Sequence, residues 1–395
     1  MTEKENQVRK RAVFYLSGYD PRGARHYHEL YRNESAKQGE LAGYASKVGA
    51  RRRTCKNVVA WDITFQKDGA EEVETQYHFL DYSEVIRKSW RSFELGLYKE
   101  MLVSYLGIGR IYWDQWKAGN LRPCWKYSWP ITLAATLPFF IILILLMISL
   151  LLGWLVYAVV PASEVIRGSA AVLTFILAVL YGRVLDKKLN QYWLLRSLSF
   201  IGFEKYMGVD GAGDLWDDFA DVVYQATQHD QFDEVLLVGH SVGSVIGVEI
   251  LGRLLEKHPD LVAGKLSFMT VGGIVQFPAG DPKSKSFQKK VVDLCSQSKI
   301  DWVDLGARTD GACFSCVHPF SVMSEQAHKE VPDLPRLFPV KFFESFSAQG
   351  YKELKKDRRN FHFQYLQASE LGCGFDYFLY VSGGQRLESH FPKNT

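Results

Sequence analysis

Ser241 lies in Gly239-His240-Ser241-Val242-Gly243, a G-x-S-x-G pattern. A strand-like run, Asp233-Glu-Val-Leu-Leu-Val-Gly239, leads into it, and a helix-like run rich in small residues leaves it. In that strand–turn–helix context a sharp turn pushes the serine hydroxyl outward as a nucleophile. Small neighbours are needed because strand and helix must pass close together. The same residues also fit a plain βα turn whose serine caps the helix.

A serine hydroxyl is a weak nucleophile without a base, and the base needs an acid to orient it. For this kind of turn the chain order is serine, acid, histidine. Asp310 is the expected acid, because it follows the strand-like run Ile300–Leu305 and so falls on the same sheet edge as the turn. Asp304 and Asp301 are its rivals. The histidines after Asp310 are His318, His328, His362 and His390. His362, in Arg359-Asn-Phe-His-Phe-Gln-Tyr-Leu366, is the expected base, and His318 is the alternative. An oxyanion needs two backbone N–H donors. Val242 should supply one, and Gly18 or Tyr19, in the loop Ser17-Gly-Tyr-Asp-Pro-Arg-Gly23, the other. That loop also reads as an ordinary Asp-Pro turn.

The elements that must hold these residues follow from periodicity. Ala12–Leu16, Asn57–Phe65, Thr75–Leu80, Leu266–Val275 and Ile300–Leu305 read as strands, and Phe375–Ser382 reads as one more. Ala24–Gln38, Asp81–Trp90, Leu215–Gln228 and Val242–Leu255 read as helices. Alternating strands and helices predict an α/β domain with a mainly parallel sheet flanked by helices.

Two apolar runs interrupt it. Ile131–Val160 sits in a stretch without a charged residue from Tyr127 to Ser163, and Val165–Leu185 follows at once. About 20 apolar residues cross a bilayer core of ~30 Å, so a two-helix transmembrane hairpin is expected at about 130–160 and 165–185. The second run spans if Arg167 and Arg183 reach the two interfaces. Tyr112, Trp113, Trp116, Trp125, Tyr127 and Trp129 would form an interfacial aromatic belt. Arg122, Lys126, Arg183, Lys187 and Lys188 flank the hairpin, which places both long flanks on the cytoplasmic side, of a bacterial inner membrane. The charged start MTEKENQVRKR lacks the apolar core of a signal peptide. The expected organisation is 1–95 as the first part of one domain, 96–198 as a membrane insertion and 199–395 as the second part.

The 395 residues carry a net charge of +3, too mild to argue for a nucleic-acid partner. Hydrophobic residues at 47% exclude disorder as the main state. Six scattered cysteines fit reduced thiols, and Cys313-Phe-Ser-Cys316 reads as incidental, since zinc would want a second pair. No metal or cofactor is expected.

The segments YLSGYDPRG, VLLVGHSVGS, WVDLGARTDG and FHFQYL resemble those of the α/β-hydrolase superfamily, near its lipase- and esterase-like members. In such relatives the histidine often stands in H-x-x-Y, which His362 and Tyr365 match. The resemblance implies a serine hydrolase acting on an ester or related acyl bond through Ser241, His362 and Asp310. With the hairpin, it points to membrane lipids and a lipophilic acyl substrate. An acyltransferase on the same residues and a non-catalytic membrane scaffold remain open.

Overall fold

The protein is described from a computed structural model. The described residues are 7–89, 121–189, 212–281, 283–323 and 330–392, with isolated positions within 102–117 and 193–200. Side chains within 121–139 and 182–189 are largely outside that description. Residues 1–6, Trp90, Tyr112 and His328 also lie outside it.

The strands are β1 (Lys10–Leu16), β2 (Tyr44–Val48), β3 (Arg52–Cys55), β4 (Val58–Lys67), β5 (Val73–Leu80), β6 (Glu234–His240), β7 (Leu266–Val271), β8 (Ile300–Gly306) and β9 (Arg336–Pro339). They form one sheet in the order β2-β4-β5-β1-β6-β7-β8-β9, and β3 also pairs with β4. From β5 to β9 neighbouring strands run parallel, whereas β2, β3 and β5 are antiparallel to β4. The protein is therefore α/β with a mostly parallel mixed sheet. Strands from both sides of the apolar insertion share it, because β1 pairs directly with β6.

The central strands alternate between two cores, as a sheet covered on both faces requires. Ala12, Phe14 and Leu16 join Val235, Leu237 and Phe268 on one face; Val13 and Tyr15 join Leu236, Val238 and Met269 on the other. The helices begin with α1 (Ala24–Ala42), α2 (Ser83–Ser89), α3 (Leu121–Val159), α4 (Glu164–Leu189), α5 (Ala212–Gln228) and α6 (Val242–Lys257). α5 and α6 cover the first face, through Trp216, Phe219, Ile246 and Ile250. α1 and the C-terminal segment cover the second, through Tyr27, Tyr31, Phe361, Tyr377 and Phe378.

Phe375–Ser382 is not a strand: Tyr377–Ser382 is a helix. Asp376 caps it by accepting from the Leu379 N–H, and Tyr377, Phe378 and Val381 pack in the core, so tertiary contacts decide an aromatic run that suits either element. Among the described residues, the short β9 is the one strand between β8 and His362.

α3 and α4 are antiparallel partners of 39 and 26 residues, about 58 Å and about 39 Å long at ~1.5 Å per residue. Gly153 sits where a Cβ would stand 3.1 Å from the Ala171 carbonyl oxygen, so small residues set the crossing. Arg167 Nε donates to the Tyr157 carbonyl at 2.7 Å, satisfying one of the last open carbonyls of α3. Leu143, Met147, Leu150, Leu151 and Trp154 face outward and exposed. Among the residues whose side chains are described, no helix is long and apolar enough to cross a membrane. The α3 backbone is continuous beyond them and runs unbroken over the charge-free stretch Ile131–Val159.

Candidate active site

β6 is buried along its whole length beside β1. From β1 the chain builds the sheet toward β5 and β4; from β6 it builds the other way, toward β7, β8 and β9. The C-terminal ends of β1 and β6 therefore flank a topological switch point, where open α/β sheets place their ligands. Ser241 stands there, at φ 55° and ψ −119°, between β6 and α6. Such a backbone costs roughly 1–3 kcal/mol and persists only where its surroundings enforce it. They do: a Cβ on Gly243 would lie 2.3 Å from the Leu16 carbonyl oxygen, and one on Gly239 would lie 2.6 Å from that of Gly243.

The Ser241 N–H donates to the Val271 carbonyl at 3.1 Å. Its carbonyl accepts from Ser244 Oγ at 2.6 Å, and Ser244 Oγ in turn accepts from the Ile274 N–H at 3.1 Å. Ser244 thereby fixes the Ser241–Val242 peptide. Val242 heads α6, where a backbone N–H has no partner inside the helix.

The structure brings His362 and Asp310 together. His362 belongs to the short helix Arg358–Phe363, and Asp310 lies in the turn after β8. Their side chains are 1% exposed, with Nδ1 2.7 Å from Asp310 Oδ2. Tyr365 donates its hydroxyl to the same oxygen at 3.1 Å and accepts from the Ala307 N–H at 2.8 Å. The Ala312 N–H donates to Asp310 Oδ1 at 2.9 Å. Burial works to raise the Asp310 carboxyl, but His362, the Ala312 N–H and Tyr365 outweigh it and hold it below the ordinary value. An ionised Asp310 keeps the proton on Nδ1 and leaves the Nε2 lone pair free. That Nε2 is buried and has no hydrogen-bond partner among the described residues.

Residues around Ser241 and His362 interlock. Gly272, which follows β7 at φ 57°, leaves room where a Cβ would stand 3.3 Å from His362 Cε1. The His240 ring lies 4.9 Å from the His362 ring, and its Nε2 donates to the His362 carbonyl at 3.0 Å. Burial and the neighbouring His362 push His240 down to about 3, so this second imidazole stays neutral beside the first.

The Ser17–Gly23 loop is held over the turn. Tyr82 donates its hydroxyl to the Ser17 carbonyl and, at 3.1 Å, to that of Gly18. A Cβ on Gly18 would lie 3.1 Å from Ser241 Cβ, so this loop backbone reaches the serine. Asp20 is buried and accepts from Arg22 Nε at 2.8 Å and from Tyr27 at 3.1 Å. Arg22 and Tyr27, together with the Arg22 charge, hold the Asp20 carboxyl low against the burial that would raise it.

No family model, curated protein or solved structure matches the chain.

The rival residues are placed elsewhere. Asp304 is buried inside β8 and accepts from Thr270; burial pushes its carboxyl up to about 7. Asp301 pairs with Arg336. His318 uses both ring nitrogens away from Asp310, on the Leu334 carbonyl at 2.8 Å and the Phe320 N–H at 3.1 Å. His390 packs against Tyr380 and Phe391. Cys313 and Cys316 are free thiols, with Cys313 Sγ 3.6 Å from the Tyr365 hydroxyl. Among the described residues no group of side chains could hold a metal ion. Sequence reasoning overlooked His240 and Ser244, whose roles depend on contacts that spacing does not reveal.

Proposed function

We propose that the protein is a membrane-anchored serine hydrolase of α/β-hydrolase type, cleaving an ester or related acyl bond. The observation that carries this reading is the strained Ser241 turn beside a buried His362–Asp310 pair whose Nε2 lone pair is unspent. Ser241 Oγ adds to the acyl carbonyl carbon while His362 Nε2 takes its proton. Asp310 stabilises the imidazolium that forms. The oxyanion is held by the Val242 N–H and by the loop backbone at Gly18 and Tyr19, each donor accounting for about 10²–10³ in rate. The imidazolium then protonates the departing alcohol. Water, activated by the same nitrogen, releases the acyl group and restores Ser241.

The anchor is the α3–α4 hairpin. The charge-free stretch 127–159 of α3, longer than a bilayer core and with large apolar side chains outward and Ser149 and Gly153 inward, suits lipid as its solvent. Both flanks are then cytoplasmic, and the substrate is a lipophilic ester available at the membrane. The test is ester hydrolysis by the full chain in phosphatidylcholine vesicles. The wild type turns over and Ser241→Ala loses activity to near background; equal turnover by both would exclude the reading.

A further inference from the structure

The two ends of the apolar insertion meet on the candidate site. Ser89, the last residue of α2, lies before the insertion, and its Oγ is 3.2 Å from the Tyr19 hydroxyl. Trp193 and Phe200 lie just beyond α4. Trp193 donates from Nε1 to the Tyr19 carbonyl at 3.4 Å, and its ring stands 6.1 Å from that of His362 and 6.4 Å from that of Phe363. Phe200 is buried, with its ring 5.1 Å from that of Tyr19. The Arg359 guanidinium lies over the Trp193 ring, 5.7 Å from its centre. An aromatic surface built by the stem of the hairpin therefore borders both the base and the expected oxyanion loop. The catalytic chemistry does not use it. Trp193 follows the end of α4 by only four residues of chain, so in the proposed membrane setting it lies near the hairpin's lipid-facing surface.

We infer that Trp193 is a specificity-determining residue: the wall on which the hydrocarbon chain of the substrate lies, selecting long-chain acyl esters drawn from the bilayer over short soluble ones. The inference rests on the hydrolase reading and names its substrate class. A flat indole with one anchored N–H presents a large apolar area at low entropic cost. Truncating it removes the contact with the chain and the Nε1 donor to the Tyr19 carbonyl, and Trp193→Phe removes that donor alone.

The experiment uses the full chain in phosphatidylcholine vesicles and two fluorophosphonates, one with a long alkyl chain and one with a short chain. Intact mass gives the rate at which each forms its Ser241 adduct. In the wild type the long-chain probe reacts faster. Against Trp193→Phe, which lacks the same donor to Tyr19, Trp193→Ala should lower the long-to-short rate ratio about tenfold and keep the short-chain rate within about threefold, as loss of a ring contact with the chain requires. Trp193→Phe, which keeps a ring, should hold the ratio near wild type. An unchanged ratio in Trp193→Ala, or an equal fall for both probes, overturns the assignment. If wild-type Ser241 reacts with neither probe, the hydrolase reading itself has failed.

Discussion

The C-terminal edge of the sheet and the α3–α4 hairpin solve opposite problems of solvation. At the sheet edge polar groups are buried and satisfied by protein: Asp310 accepts from His362, Tyr365 and the Ala312 N–H, and Asp20 accepts from Arg22 and Tyr27. In the hairpin the hydroxyls of Ser149 and Thr174 turn back onto their own helices, while leucines, isoleucines and Trp154 are left outside. One region holds a buried carboxylate–imidazole pair, the arrangement that the proposed chemistry needs. The other spends its few hydroxyls on its own backbone and turns its apolar side chains outward, which is what the proposed lipid solvent would require. The contrast teaches that one chain carries both surfaces, joined at Tyr19 by Ser89 and Trp193.

The contrast can be broken from either side. The largest effect should come from Asp310→Asn, which removes the charge that sets the His362 tautomer; kcat/KM for an ester should fall about 10⁴-fold while KM stays near wild type. Next comes Leu150→Lys, which puts a charge on an exposed face of α3. At a cost of about 3 kcal/mol at a bilayer centre, it should shift protein from the membrane to the soluble fraction on carbonate extraction. Unchanged partitioning would show that this face does not meet lipid.

A smaller effect is expected from His240→Phe. The ring packing survives but the donor to the His362 carbonyl is lost, so kcat should fall roughly fivefold, about what one hydrogen bond of ~1 kcal/mol allows. His240→Gln keeps a donor and should recover part of it. The smallest effect on catalysis belongs to Asp304→Asn, which should alter only the pH dependence of stability. With its pKa raised from 3.8 to about 7 in the fold, Asp304 binds a proton that the unfolded chain releases. Its contribution is full below about pH 4 and is lost as pH rises through about 7. Denaturant unfolding across that window should show a shallower decline in Asp304→Asn than in wild type.

Much of the site was legible because chemistry and geometry leave marks in short range. Gly239 and Gly243 mark the turn, since any Cβ there meets backbone. Asp310 is marked by its place after a buried strand, and His362 by its aromatic flanks. The hairpin is marked by missing charges. What stayed hidden is of another kind. β2, β3 and β9 are short strands, and Arg52–Cys55 is exposed throughout, so no apolar alternation announces it. Tyr377–Ser382 is a capped helix with Tyr377, Phe378 and Val381 in the core, a choice made by tertiary contacts that the aromatic run does not announce. The parts played by His240 and Ser244 require contacts across 122 and 30 residues of chain, which no local pattern encodes.

The central claim is that Ser241 is a nucleophile activated by His362 and Asp310. Its most direct measurement is peptide-mapped mass spectrometry of the full chain in phosphatidylcholine vesicles after a fluorophosphonate, with Asp310→Asn and Ser241→Ala alongside. The account predicts a single adduct on Ser241 in the wild type, a much slower one in Asp310→Asn and none in Ser241→Ala. Wild-type protein that stays unmodified, or is modified at another residue at the same rate as Ser241→Ala, would contradict it.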